Sequence, residues 1–172
     1  MAQQPEVWLR GTVEGFPALL MPVVHALLQV REDLTRLIET VWPAHVWERP
    51  GGAASIGFHV RHTGGALDRL FTYARGESLS EAQRGFLLAE GEPGTPPAAL
   101  ADIVSSTNRT IEQALEQLRA TDVSGLLEER RVGRAGLPSN PLGLLFHAAE
   151  HSTRHAGQAI TTARILSGRG LS

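Results

Sequence analysis

An all-α fold, arranged as a four-helix up-down bundle, is the architecture this sequence predicts. Three observations lead there. Apolar residues recur at i, i+3 and i+4 over most of the 172 residues. Strand signals are nearly missing: alternating runs of Val, Ile, Thr and Tyr do not occur, and only one Tyr is present. The four long periodic segments are joined by one long and two medium connections, which is the layout of a bundle. The whole chain, 1–172, is expected to form a single domain.

The first helix is expected over about 17–41, where Leu20, Val23, Val24, Leu27, Val30, Leu34, Leu37, Ile38 and Val41 share a face. Pro17 suits a first turn, whereas Pro22 must kink the helix or delay its start. A loop with Trp42 and Trp47 follows, punctuated by Pro43, Pro50, Gly51 and Gly52. The second helix is expected over 55–75, with Ile56, His59, Val60, Gly64, Leu67, Leu70 and Phe71 in one stripe and Gly76 as its stop. Ser80 and Glu81 begin a short amphipathic segment that ends at Glu90. After the turn-rich GEPGTPP, Pro97 opens a third helix to about Ala120, with Leu100, Ile103, Val104, Ile111, Leu115 and Leu118 inward. Residues 121–139 read as an irregular connection. Asn140-Pro141 then supplies an N-cap and first-turn proline for a last helix reaching about Ser167.

Composition narrows the function. Hydrophobic residues make up 42% and charged ones 20%, as in an ordinary globular protein. A net charge of -2 and a pI near 6.4 give no electrostatic case for nucleic-acid binding. The most apolar run, 16–30, is interrupted by Pro17, Pro22 and His25, so no membrane span is expected. Cysteine is absent, which excludes thiolate ligands and a cysteine nucleophile. With no basic-then-apolar start at the N-terminus, the expected location is cytoplasmic.

The chemistry gathers on histidines. His147, His151 and His155 are spaced by four in LLFHAAEHSTRHAGQAI, so a helix projects them from one face. Two neutral imidazoles one turn apart can share a transition-metal ion at about 2.0–2.1 Å per bond. His147 and His155 have Cα atoms about 12 Å apart and cannot easily share it, so the row supplies two ligands at most. The second helix carries another pair, His59 and His62. One of these with two from the last helix makes a three-histidine site, which leaves a coordination position open for water or substrate. Gly64 and Gly65 after His62 leave the backbone bare for close approach, but spacing does not decide between His59 and His62.

IGFHVRHTGGALDRLFTYARG resembles the second helix of the DinB/YfiT-like superfamily, and HSTRHAGQAI resembles that family's last-helix signature of His, three residues, His, one residue and Gly-Gln. The resemblance extends over the helical layout from about Trp8 to Leu166. It implies a four-helix bundle, commonly a homodimer, that holds a divalent ion such as zinc or nickel. Carried over by position, it makes His62, His151 and His155 the metal ligands and matches Gly157 and Gln158 to the Gly-Gln. Members of the family include S-transferases using low-molecular-weight thiols, a maleylpyruvate isomerase, and proteins described as metal-dependent hydrolases. The chain departs from the family at one point. Many members have an acid directly after the first histidine of the last-helix pair, where this chain has Ser152.

Ser152 also excludes a zincin, which needs Glu in that place as general base. Iron or manganese carboxylate bundles need Glu-x-x-His motifs, and Glu112 with Glu116 reads instead as a solvated face. His147 is a candidate accessory group at the site mouth, equally well a plain exposed histidine. The roles of His25 and His59 are open, and His45 is expected to be exposed. Arg61, Arg69 and Arg154 invite an anion-binding reading, with Arg154 expected at the surface. Asp68 could orient a ligand histidine but reads more simply as an exposed carboxylate. The tryptophans read as packing anchors beneath loops.

The expected function is therefore a metal-dependent enzyme acting on a small molecule by thiol-dependent S-transfer or by hydrolysis. In the first case the thiol arrives as a cosubstrate, since the chain has no Cys. The competing expectation is a non-catalytic bundle, with or without a stabilising ion, that binds a small ligand or a protein.

Overall fold

The structure, a computed structural model, describes residues 4–168. Its α-helices are α1 (Met21–Leu37), α2 (Ile56–Ala74), α3 (Glu81–Ala89), α4 (Leu100–Arg119) and α5 (Pro141–Gly168). Two three-residue strands, β1 (Arg130–Val132) and β2 (Leu137–Ser139), pair antiparallel with Arg131 opposite Pro138. The fold is mostly helical, and no helix among the described residues is long and apolar enough to cross a membrane.

Local chemistry explains where the helices begin. Ser55 Oγ accepts a hydrogen bond from the Phe58 amide at 3.1 Å and caps α2. Ser80 and Gln83 form a reciprocal capping box at the start of α3. Asn140 Oδ1 accepts from the Gly143 amide at 2.7 Å, with Pro141 in the first turn of α5. Pro22 delays the first helix rather than kinking it. A 3-10 turn, Ala18–Leu20, precedes α1, so Pro22 falls in the first turn where an amide donor has no helical partner. α1 ends at Leu37, short of Val41, in a run of turns closed by Thr40. The expected start at Pro97 moves to Leu100, because Ala99 is still extended. The hairpin β1–β2 lies inside the expected irregular connection. Strands of three residues are too short to show alternation, and the turn takes Gly133 and Gly136 at positive φ.

α2 packs against α5 and α4, and α1 packs against the same two helices. α1 and α2 therefore lie on one diagonal, α4 and α5 on the other. Each diagonal pair is consecutive in the long-helix order, so the chain crosses the assembly through the connections 38–55 and 120–140. Leu27 and Leu34 of α1, Ile56 and Leu67 of α2, Ile111 and Leu118 of α4, and Leu145 and Leu166 of α5 meet in the sealed core. Their burial is the main favourable contribution to folding.

One close approach outside the long-helix core is testable. A Cβ at Gly57 would lie 2.9 Å from three atoms of the Trp47 ring. That ring is held by an Nε1–H donated to Ala98 O at 2.9 Å, with the Arg61 guanidinium 4.6 Å from its centre. Gly57→Ala is therefore expected to destabilise the protein by about 1–3 kcal/mol, read from the urea midpoint. An unchanged midpoint would show that the Trp47 loop yields freely.

α3 is different in kind. It buries none of its own side chains and rests on α2 through Gln83, whose amide donates to Asp68 Oδ2 at 2.8 Å and Thr72 Oγ1 at 2.7 Å. The residue that follows it, Glu90, is only 2% exposed.

Candidate metal centre

The inner face of α5 is built from short side chains. Ala148, Ala149, Ser152, Ala156, Ala159 and Ala163 are all buried there. Small residues at a helix contact let the neighbour approach closely, and α2 is the principal neighbour. His151 and His155 flank this stripe, one turn apart, with ring centres 4.5 Å from each other. From α2, the His62 ring reaches within 4.5 Å of His155 and 5.1 Å of His151. One ring nitrogen from each of the three lies within 4.8 Å of the other two, and all three side chains are half-buried. Such a cluster could hold a metal ion. His62 Nε2 and His151 Nε2 are 2.9 Å apart, close to the separation of about 3.3 Å expected for two nitrogens on one tetrahedral ion.

Spacing alone left His59 and His62 equivalent; in the fold they take different places. His62 is in the cluster; His59 stands behind it. His59 is 6% exposed, and its Nδ1 lies 3.0 Å from Nδ1 of His155, one nitrogen donating and the other accepting. His147 is exposed, with its ring centre 5.4 Å from that of His151 and Nδ1 3.3 Å from Glu150 Oε2. It neighbours the cluster without entering it. Phe58 forms the remaining wall, stacked on His62 at 5.2 Å and edge-on to His59 and His155.

A carboxylate lies beside the centre that the sequence did not announce. Glu90 Oε2 accepts from His62 Nδ1 at 2.7 Å, and Glu90 Oε1 accepts from Arg69 Nη1 at 2.5 Å. The niche for this carboxylate exists because residue 65 is glycine: a Cβ there would overlap Glu90 Oε1 and crowd Phe86 and Arg69. Gly64 does the corresponding work toward α4, where a Cβ would lie 3.0 Å from Thr107 Oγ1. The bare backbone noticed in the sequence thus admits Glu90 and α4.

Electrostatics keep the nitrogens available. Burial pushes His155 down to about 3, with further lowering by His62, His151, His59 and Arg154. His151 is lowered by burial and then by His62, His147 and Arg154. His59 is lowered by burial and by His62. These three rings are unprotonated at neutral pH, as metal ligation requires. His151 Nδ1, on the side of the ring away from His62, is buried without a hydrogen-bond partner, a need that a water would meet.

Other sequence expectations fall out differently. Ser152 is 1% exposed and donates to Ala148 O at 2.7 Å, so its hydroxyl is spent on the helix backbone within the core. The anion that Arg69 binds is Glu90 of the same chain. Arg61 is engaged with Ala89 O, Glu92 O and the Trp47 ring. Arg154 is at the surface, paired with Glu150. Asp68 is turned toward Gln83 rather than toward a histidine. His45, expected to be exposed, is half-buried in the 3-10 turn Pro43–His45. His25 Nε2 lies 2.9 Å from Gly11 O and ties the N-terminal segment to α1. Trp47 is a packing anchor, while Trp8 and Trp42 are exposed at 61% and 73% and anchor nothing in the core.

The family model of the DinB superfamily matches residues 26–159, a span that holds α2, α3, α4 and every histidine of the cluster. No curated protein matches the chain.

Proposed function

Because the chain belongs to the DinB superfamily, we propose that it is a metal-dependent enzyme whose divalent ion is held by His62, His151 and His155. The observation that carries this reading is the convergence of three ring nitrogens within 4.8 Å from two helices. A zinc or nickel ion there would supply Lewis acidity, bringing the pKa of a bound water or thiol toward neutrality. The chain's own part is to hold His151 and His155 unprotonated and to aim all three rings at one point. Among the described residues three protein ligands converge, which leaves room for an exchangeable fourth. Phe58 shields one side of the cluster, and exposed His147 stands where it can exchange a proton with solvent.

The reaction class in this reading is thiol-dependent S-transfer or hydrolysis of a small molecule. A low-molecular-weight thiol would come as cosubstrate, because the chain has no Cys. The same composition suits a reducing cytoplasmic setting. The four long helices are read as a four-helix bundle with two diagonal crossings, and the active form as a homodimer.

Protein purified without chelator, with zinc or nickel supplied, is expected to carry one divalent ion per chain by elemental analysis. His62→Ala and His151→Ala should each lose it. A wild-type protein that takes up no ion would sink the metalloenzyme reading. An ion without turnover in a panel of thiol-transfer and hydrolysis substrates would favour the non-catalytic binding bundle.

A further inference from the structure

We propose that Glu90 is the positioning residue of the three-histidine centre, fixing His62 with its proton on Nδ1 and linking the docking of α3 to metal loading. The linkage rests on the metal reading above; the tautomer does not, because it belongs to the metal-free protein.

A neutral imidazole has one N–H and one bare nitrogen, and its partners decide which is which. A carboxylate paired with a guanidinium, as Glu90 is with Arg69, serves as an acceptor. In the neutral ring, with Glu90 Oε2 2.7 Å from Nδ1, the proton sits on Nδ1 and the lone pair on Nε2. Nε2 is the atom that faces His151 Nε2 at 2.9 Å, inside the cluster. The carboxylate cannot drift, because its other oxygen is held by Arg69 at 2.5 Å and the group is 2% exposed. Gly65 leaves the space it occupies. Arg69, Glu90 and His62 thus form a chain of charge-assisted hydrogen bonds ending on a ligand nitrogen.

Glu90 directly follows α3, a helix with no buried side chain of its own. When α3 lifts away, His62 loses its acceptor. Loss of such a partner lowers metal affinity by about 10–100-fold. Coupling between two equilibria is reciprocal, so saturating metal must favour docked α3 by the same factor.

The experiment uses the full chain, metal-free and then with zinc. Long-range 15N–1H correlation spectra of the metal-free wild type should show His62 protonated at Nδ1 and bare at Nε2. A proton on Nε2 instead would overturn the assignment. Saturating zinc should slow amide exchange across 81–89 by up to the same ~10–100-fold. In Glu90→Gln a single acceptor oxygen must serve either Arg69 or His62, so zinc affinity should fall by about 10–100-fold and the protection of α3 should shrink. Arg69→Met added to Glu90→Gln removes the competitor for that oxygen and should restore much of the affinity. A purely structural role would not be rescued in this way. Unchanged zinc affinity in Glu90→Gln would refute the positioning role. A wild type that binds no zinc yet shows Nδ1–H would overturn the metal reading and the linkage while supporting the tautomer.

Discussion

Zinc added to the metal-free protein at a hundred times its dissociation constant should stabilise the fold by about 2.7 kcal/mol, since the unfolded chain does not hold three histidines together. For a chain of this size that corresponds to a rise in melting temperature of roughly 5–11 °C. His155→Ala, keeping two of the three ligands, should show no measurable rise at the same zinc concentration. An equal rise in the variant would place the ion elsewhere. Acid should remove the effect, because protons compete for the same nitrogens.

The metal-free protein has its own pH dependence, with a sign fixed by the same rings. Burial, with positive neighbours, holds His155 at about 3 and lowers His151 and His59 from their ordinary 6.5. Below about 6.5 the unfolded chain takes up protons that the folded chain refuses. These histidines leave stability intact above that value and erode it as pH falls from 6.5 toward 3. In His155→Ala the urea midpoint should fall less steeply across that window. An identical slope would mean that His155 is protonated in the folded state.

The second large effect concerns Arg69 and Glu90, which are 9% and 2% exposed. Removing one partner of a buried ion pair strands the other charge in a poorly solvated site. Glu90→Ala is therefore expected to cost about 3–5 kcal/mol in urea unfolding. Replacing both, as Arg69→Met with Glu90→Leu, removes the stranded charge and should recover most of that loss. The double variant would still lack an acceptor for His62 Nδ1, so its zinc affinity should stay low. Stability and metal affinity would then separate, which distinguishes the ion pair's contribution to folding from Glu90's contribution to the centre. A single variant as stable as wild type would show that water reaches the Arg69 guanidinium.

Much of this molecule is local and therefore legible in order along the chain. Helical periodicity located the four long helices, because each buries one face every 3.6 residues. Ser55, Ser80 and Asn140 marked three helix starts, because a side-chain oxygen at an N-cap answers amides only two or three residues away. The spacing of His151 and His155 puts two rings one turn apart without any tertiary contact.

Other features depend on what meets across the fold, and there the sequence by itself was silent. Glu90 and His62 are 28 positions apart, and nothing local distinguishes Glu90 from the other glutamates around it. Gly64 and Gly65 were visible as bare backbone, but what fills the space, Thr107 of α4 and the Glu90 carboxylate, is set by packing. His59 and His62 differ by about 60° around α2; only the line of approach of α5 puts His62 in the cluster and His59 behind His155. The sequence determined the long helices and the histidine spacing, since both follow from the chain's own short-range geometry. The tertiary structure alone decided which ring is oriented, by which acid, and why that acid can be buried there: those are contacts between segments whose approach no local pattern encodes.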